Sequence, residues 1–228
     1  NDYHVIAITS RRENLTRFKG EELQYKIMTE MDFEEYLWAR GEKEIADNIR
    51  YAYQEGKRCA YHAKALDLFY DYLLTGGFPE VVLASLQYQE PFEMESAKEK
   101  VFDILKSFLN ECNPLIDIPR GLEVLNSIPK QLQKENKKFQ YGVLGYGKRA
   151  KEYVSVIQYL VSNLLVNRSY KITTVKSPLS SCRELDSFKL YYPDDGLLSG
   201  RLHITKKQLL KDDELKYTLY ENHIAHTL

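Results

Sequence analysis

The sequence predicts a predominantly helical α+β fold, and three observations carry that reading. Between residues 33 and 166, most segments repeat apolar residues at the three-to-four spacing of a helix that buries one face. Only short runs, near the N-terminus and after residue 169, have the period of a strand. The order also matters: several short helices, the strongest amphipathic helix, then two strand-like segments form the sequence of a winged-helix module, a helix-turn-helix relative.

Residues 3–8, Tyr-His-Val-Ile-Ala-Ile, form an apolar run closed by Thr9-Ser10, as in a buried parallel strand. Leu23, Tyr25 and Ile27 alternate with Gln24, Lys26 and Met28 and predict a second, half-buried strand. With so few partner strands, and with Asn1 at its start, the chain is expected to be a fragment or to carry a reduced sheet. Asp32 with Glu35 three residues on is a capping box for a helix carrying Phe33, Tyr36 and Leu37 and ending near Gly41. A more polar helix follows over 43–55. Leu66, Phe69, Tyr70, Leu73 and Leu74 then line a core-facing helix that stops at Gly76-Gly77, and Pro79 restarts one through Val81, Val82 and Leu86.

The polar stretch 87–96, with Pro91, reads as a linker. Val101, Leu105 and Phe108 mark the next helix, and Pro114, Pro119 and Pro129 punctuate short helices around Leu122, Leu125 and Leu132. Over 150–166, Tyr153, Val154, Ile157, Leu160, Val161, Leu164 and Leu165 share one face. Strands are expected near 170–175 and 188–192, and Pro193-Asp194-Asp195-Gly196 reads as a turn.

The 228 residues are enough for one large domain or two small ones, and a net charge of −1 supplies no global field toward nucleic acid or membrane. Cys59, Cys112 and Cys182 are unpaired in any C-x-x-C pattern, which fits reduced thiols in a cytoplasmic protein. No apolar run approaches the ~18 residues of a membrane span, so no membrane association is expected.

Gly142-Val143-Leu144-Gly145-Tyr146-Gly147-Lys148 matches the G-x-x-x-x-G-K spacing of a phosphate loop, but Arg149 stands where Ser or Thr must ligate magnesium. It follows a charged stretch instead of an apolar strand, so it reads as a turn between helices. Lys130, Lys134, Lys137, Lys138, Lys148, Arg149 and Lys151 form a basic cluster before the strongest helix. Lys137, Lys138, Lys148 and Arg149 are the candidate nucleic-acid contacts, against the plainer reading of a solvated face diluted by Glu135 and Glu152. Asp194-Asp195 suggests a carboxylate pair and His223 with His226 a ligand pair, but neither has a visible third ligand; no metal site and no catalytic constellation can be assembled.

Five segments, in order, resemble one family: Met31-Asp32-Phe33-Glu34-Glu35-Tyr36-Leu37; Leu74-Thr75-Gly76-Gly77-Phe78-Pro79-Glu80-Val81-Val82; Lys130-Gln131-Leu132 with Glu135-Asn136-Lys137-Lys138-Phe139; Phe188-Lys189-Leu190-Tyr191 with Asp195-Gly196-Leu197-Leu198; and Tyr220-Glu221-Asn222. Together they are similar to prokaryotic AAA+ type ATPases with a C-terminal DUF4143 domain. The resemblance implies the end of a P-loop ATPase sheet over 1–32, a helical lid over 33–90, a winged-helix-like module over 91–176 and the start of a restriction-nuclease-like region over 177–228. It implies ATP and magnesium as cofactors of the parent family, bound through parts not recognisable in this chain. Ser10 takes the place of the nucleotide-sensing polar residue and Glu221 that of a nuclease-like acid, although Arg11-Arg12-Glu13 departs from the family's apolar turn. The implied role is to couple nucleotide state to a protein partner or DNA, with oligomerisation a further option. The alternative from the residues themselves is a non-enzymatic winged-helix module that binds DNA or protein.

Overall fold

A computed structural model of the chain describes residues 6, 8, 24, 26–88, 91–110 and 117–227. The fold is mostly helical with one small antiparallel sheet. Ile6, Ile8, Gln24, Lys26, Ile27 and Met28 belong to no strand, so the two N-terminal strands expected there are absent at these positions; the rest of both runs lies outside the described residues.

Helix α1 (Phe33–Ala39) begins with the expected capping box: the Glu35 N–H donates to Asp32 at 2.8 Å and the Asp32 N–H donates to Glu35 at 3.0 Å. α2 (Lys43–Gln54) and α3 (His62–Thr75) pack on it around Leu37, Ile45, Ala46, Ala65 and Leu68. The predicted stripe on α3 is rotated, because Leu66 is exposed while Leu68 and Tyr72 are buried beside Leu73 and Leu74. α3 is covered on two sides, by α1 on one and by later C-terminal helices on the other, so a single-stripe pattern undercounts its buried positions.

Past the turn, α4 (Pro79–Gln87) leads almost directly into α5 (Pro91–Asn110). The predicted linker is therefore mostly helix: Pro91 opens α5, where its missing N–H costs nothing. The expected short helices around Leu122, Leu125 and Leu132 are one helix, α6 (Ile118–Leu132), capped by Asp117 and containing Pro129. Proline there removes the bond to the carbonyl four residues earlier. That carbonyl, on Leu125, accepts the hydroxyl of the buried Tyr192 at 2.7 Å, which lets the helix run on through Pro129.

α7 (Val154–Ser162) is shorter than its pattern, preceded by a 3-10 turn at Ala150–Glu152 and ended before Leu164, whose φ of 60° leaves the helical region. Tyr153, Val156, Ile157 and Leu160 face the core; Val154 and Leu164 do not. Strands β1 (Asn167–Ile172) and β2 (Arg183–Tyr191) form an antiparallel hairpin in the register Tyr170 to Phe188, then Lys171 to Glu184, so β2 bulges at that step. The hairpin straddles position 176, where a domain boundary was expected. Three helices close the chain: α8 (Asp195–Arg201), α9 (Lys206–Lys211) and α10 (Asp213–Thr227). The main core joins α3, α5, α6, α7, both strands and α8–α10, with Phe102, Leu125, Ile128, Leu160, Tyr192 and Leu198 at its centre. Among the described residues no helix is long and apolar enough to cross a membrane.

Candidate functional site at the junction of five segments

The turn after α3 is where distant parts of the chain meet at backbone distance. Gly76 adopts a φ of +80°, and a Cβ built on it would lie 2.3 Å from Asp194 Oδ1. A Cβ on Gly77 would lie 2.1 Å from the Met31 carbonyl oxygen, and one on Gly196 would lie 2.1 Å from the Thr75 carbonyl oxygen. Only glycine permits these approaches. The contacts they allow are direct: the Met31 N–H donates to the Gly77 carbonyl at 2.9 Å, and the Tyr72 hydroxyl donates to the Met31 carbonyl at 2.9 Å. Ser199 on α8 donates to the Leu74 carbonyl at 2.8 Å.

Asp194 and Asp195 do not form the predicted turn; both are buried at the start of α8. Asp194 is the N-cap, accepting the Leu197 N–H at 2.9 Å, and its other oxygen accepts the Gly77 N–H at 2.7 Å. Burial pushes its carboxyl up to about 7, against the pull of those two N–H groups, with the neighbouring Asp195 charge adding to the rise. Asp195 accepts Asn222 Nδ2 on Oδ1 at 2.9 Å, while its Oδ2 meets His223 Nδ1 at 2.8 Å and His226 Nε2 at 3.1 Å. Burial alone would raise this carboxyl, yet the hydrogen bonds of the two imidazoles outweigh it and hold Asp195 below its ordinary range. For His226 burial acts downward, and the bond and charge of Asp195 reverse it to a net rise.

One turn along the opposite face of α10, Glu221 is held by Lys189 Nζ at 2.6 Å, the Tyr191 hydroxyl at 2.7 Å and Lys137 Nζ at 2.8 Å. Partial burial opposes ionisation, but these three donors win and bring Glu221 down to about 2. Beside Lys137, Phe139 donates its N–H to the Phe188 carbonyl at 2.8 Å and stacks on the Phe188 ring at 5.5 Å. Asn222 completes the chain of contacts by accepting the Tyr192 N–H at 3.0 Å. The five segments singled out in the sequence thus touch in succession, from Met31 through Gly77, Asp194–Gly196 and Glu221–Asn222 to Lys137 and Phe139.

The individual candidates fare differently. Ser10 lies outside the described residues. Lys137 is committed to Glu221, and Lys148 to Glu123 at 3.0 and 3.1 Å, whereas Lys138 and Arg149 are exposed. The lysine that a phosphate loop would aim at a nucleotide is thereby bound to a carboxylate, and Gly142 sits inside a 3-10 turn (Tyr141–Val143) that no strand leads into, so 142–149 does not fit a nucleotide phosphate or its magnesium. Glu221, expected as a nuclease-like acid, sits in two ion pairs. Sequence reading named Asp195, His223 and His226 in two unconnected pairs; their union across 28 residues had no local signal. It missed Asn222 as the bridge, and Lys98, a buried cation that donates to Glu95 at 2.6 Å and reaches Ser199 at 3.4 Å.

The structure defines a mostly helical α+β protein with a buried polar junction between α3, α8 and α10. A family model, a domain of unknown function (DUF8612), matches residues 66–208, more than half of the chain, and the chain belongs to that family. The match takes in Gly76, Gly77 and Asp194–Gly196, while α10 lies beyond it. No curated protein and no solved structure matches the chain.

Proposed function

We propose that this chain is the coupling part of a nucleotide-dependent AAA+ type ATPase. In this reading α1–α4 are the helical lid and α5, α6, α7 with the β1–β2 hairpin are a winged-helix module that passes the lid's movement to a partner. The observation that carries it is the junction itself. The Gly76-Gly77 turn of the lid is fastened to Asp194 and Gly196, which follow the hairpin, by a 2.7 Å bond and by backbone contacts too close for any Cβ. A lid fastened in this way moves as one body with the hairpin, which is what transmission of an angular change requires. The meeting of all five resembling segments supports the same reading. ATP and magnesium would be held by other parts of the parent ATPase, since the residues of 142–149 do not fit them, and no chemical step is assigned to this chain.

A protein partner is favoured over DNA. Sequence-independent DNA affinity needs free cations, and two of the four candidates are spent on Glu221 and Glu123. In a winged helix the third helix enters the groove, yet the exposed positions of α7 are Val154, Ser155, Gln158 and Ser162, without Lys or Arg. Nucleotide binding by the protein as its gene encodes it, read with a fluorescent ATP analogue, is the test. Binding with magnesium that is altered on substituting Asp194 supports the coupling role. A folded natural protein that binds no nucleotide overturns it.

A further inference from the structure

We propose that Asp195 Oδ2, His223 Nδ1 and His226 Nε2 form a binding site for a divalent cation of the zinc type. The three atoms lie within 4.8 Å of one another. The histidines are three apart on α10, so their rings share one helix face, and α8 delivers the carboxylate from the other side. Nitrogen and carboxylate donors in this proportion are a set that zinc accepts. Ligands about 2.0–2.1 Å from a tetrahedral zinc stand about 3.3 Å from each other. The two imidazole–carboxylate spacings, 2.8 and 3.1 Å, need open by only about 0.2–0.5 Å to admit the ion.

A further observation points the same way. The second oxygen of Asp195 is fixed by Asn222, itself anchored on the Tyr192 N–H, and this leaves Oδ2 aimed at the imidazoles. Outer hydrogen bonds of that kind orient metal-binding carboxylates. His223 and His226 retain side-chain exposures of 21% and 12%, which leaves a path from solvent, and a water can take the fourth position. The site goes beyond the coupling role and does not depend on it.

The test uses the 228-residue chain, freed of metal with a chelator and titrated with Co²⁺ and with Zn²⁺. The expected result is one equivalent bound, visible Co²⁺ d–d bands that Zn²⁺ displaces, and a thermal midpoint that rises with metal concentration. Asp195→Asn keeps the side chain's shape and is expected to abolish the bands while circular dichroism without metal shows a folded chain. Asn222→Ala should weaken affinity about 10–100-fold. If His223→Gln and His226→Gln, both folded, bind Co²⁺ as the unaltered chain does, or if the unaltered folded chain gives no d–d bands, the proposal is wrong.

Discussion

The buried carboxylate of Asp194 accepts the backbone N–H of Gly77, 117 residues earlier in the chain, at 2.7 Å. The same carboxylate caps α8 through Leu197, so a single side chain both starts a helix and fastens it to the α3–α4 turn. Replacing Asp194 with alanine orphans two backbone donors in the interior. The expected loss is roughly 2–4 kcal/mol, from a lost N-cap plus an unsatisfied buried N–H, read by urea unfolding. Asn, which keeps an acceptor for one of the two, should cost less.

The glycines at this junction give a sharper steric contrast. Gly77→Ala and Gly196→Ala place a methyl about 2.1 Å from a carbonyl oxygen, and backbone cannot yield as a flexible side chain does. A destabilisation of about 1–3 kcal/mol or more is expected for each. Gly142→Ala meets nothing within 4 Å and has no left-handed φ, so its stability should change by less than about 0.5 kcal/mol. Thermal unfolding of the three variants side by side decides it.

Glu221 sets an acid limit. Its folded value, about 2, lies below the ordinary 4.5. The native state therefore prefers the ionised form, and this contribution is fully present above about pH 4.5 and disappears as pH falls toward 2. The stability difference between the unaltered chain and Glu221→Gln should be largest near neutral pH and close up through that window. The groups that hold the charge are Lys137, Lys189 and the Tyr191 hydroxyl. A difference that stays constant from pH 7 to pH 3 would show that Glu221 acts by shape alone.

The basic cluster yields a prediction about salt. Any low-salt DNA binding should owe at most about two units of its log–log salt slope to Lys138 and Arg149. Lys137→Gln and Lys148→Gln should change the slope little, because both cations face carboxylates within the chain. Their effect should appear in stability instead. Fluorescence anisotropy on a duplex between 50 and 200 mM salt separates the two pairs.

Much of the local structure was legible in the residues. The Asp32–Glu35 box, the break at Gly76-Gly77, the restart at Pro79 and the hairpin near 170–190 all depend on neighbours within a few positions, so a single pass along the chain finds them. Where reading failed, a distant residue had intervened. Pro129 reads as a helix end until the Tyr192 hydroxyl takes the Leu125 carbonyl that proline leaves free. Pro193-Asp194-Asp195-Gly196 reads as a turn until the Gly76-Gly77 turn after α3 packs against it and Asp194 caps α8. Leu66 reads as core until α3 is seen to be covered on two sides.

The amino-acid pattern alone therefore determined that the chain is mostly helical and where α1, α2 and α4 begin. Tertiary structure decided which charges meet. Asp195 with His223 and His226, and Glu221 with Lys137 and Lys189, join residues up to 84 positions apart. Capping and periodicity are local energies of the backbone, so sequence order encodes them directly. The pairing and burial of a charge depend on how helices pack, and only the packed core brings Asp195 out of water and against its two imidazoles.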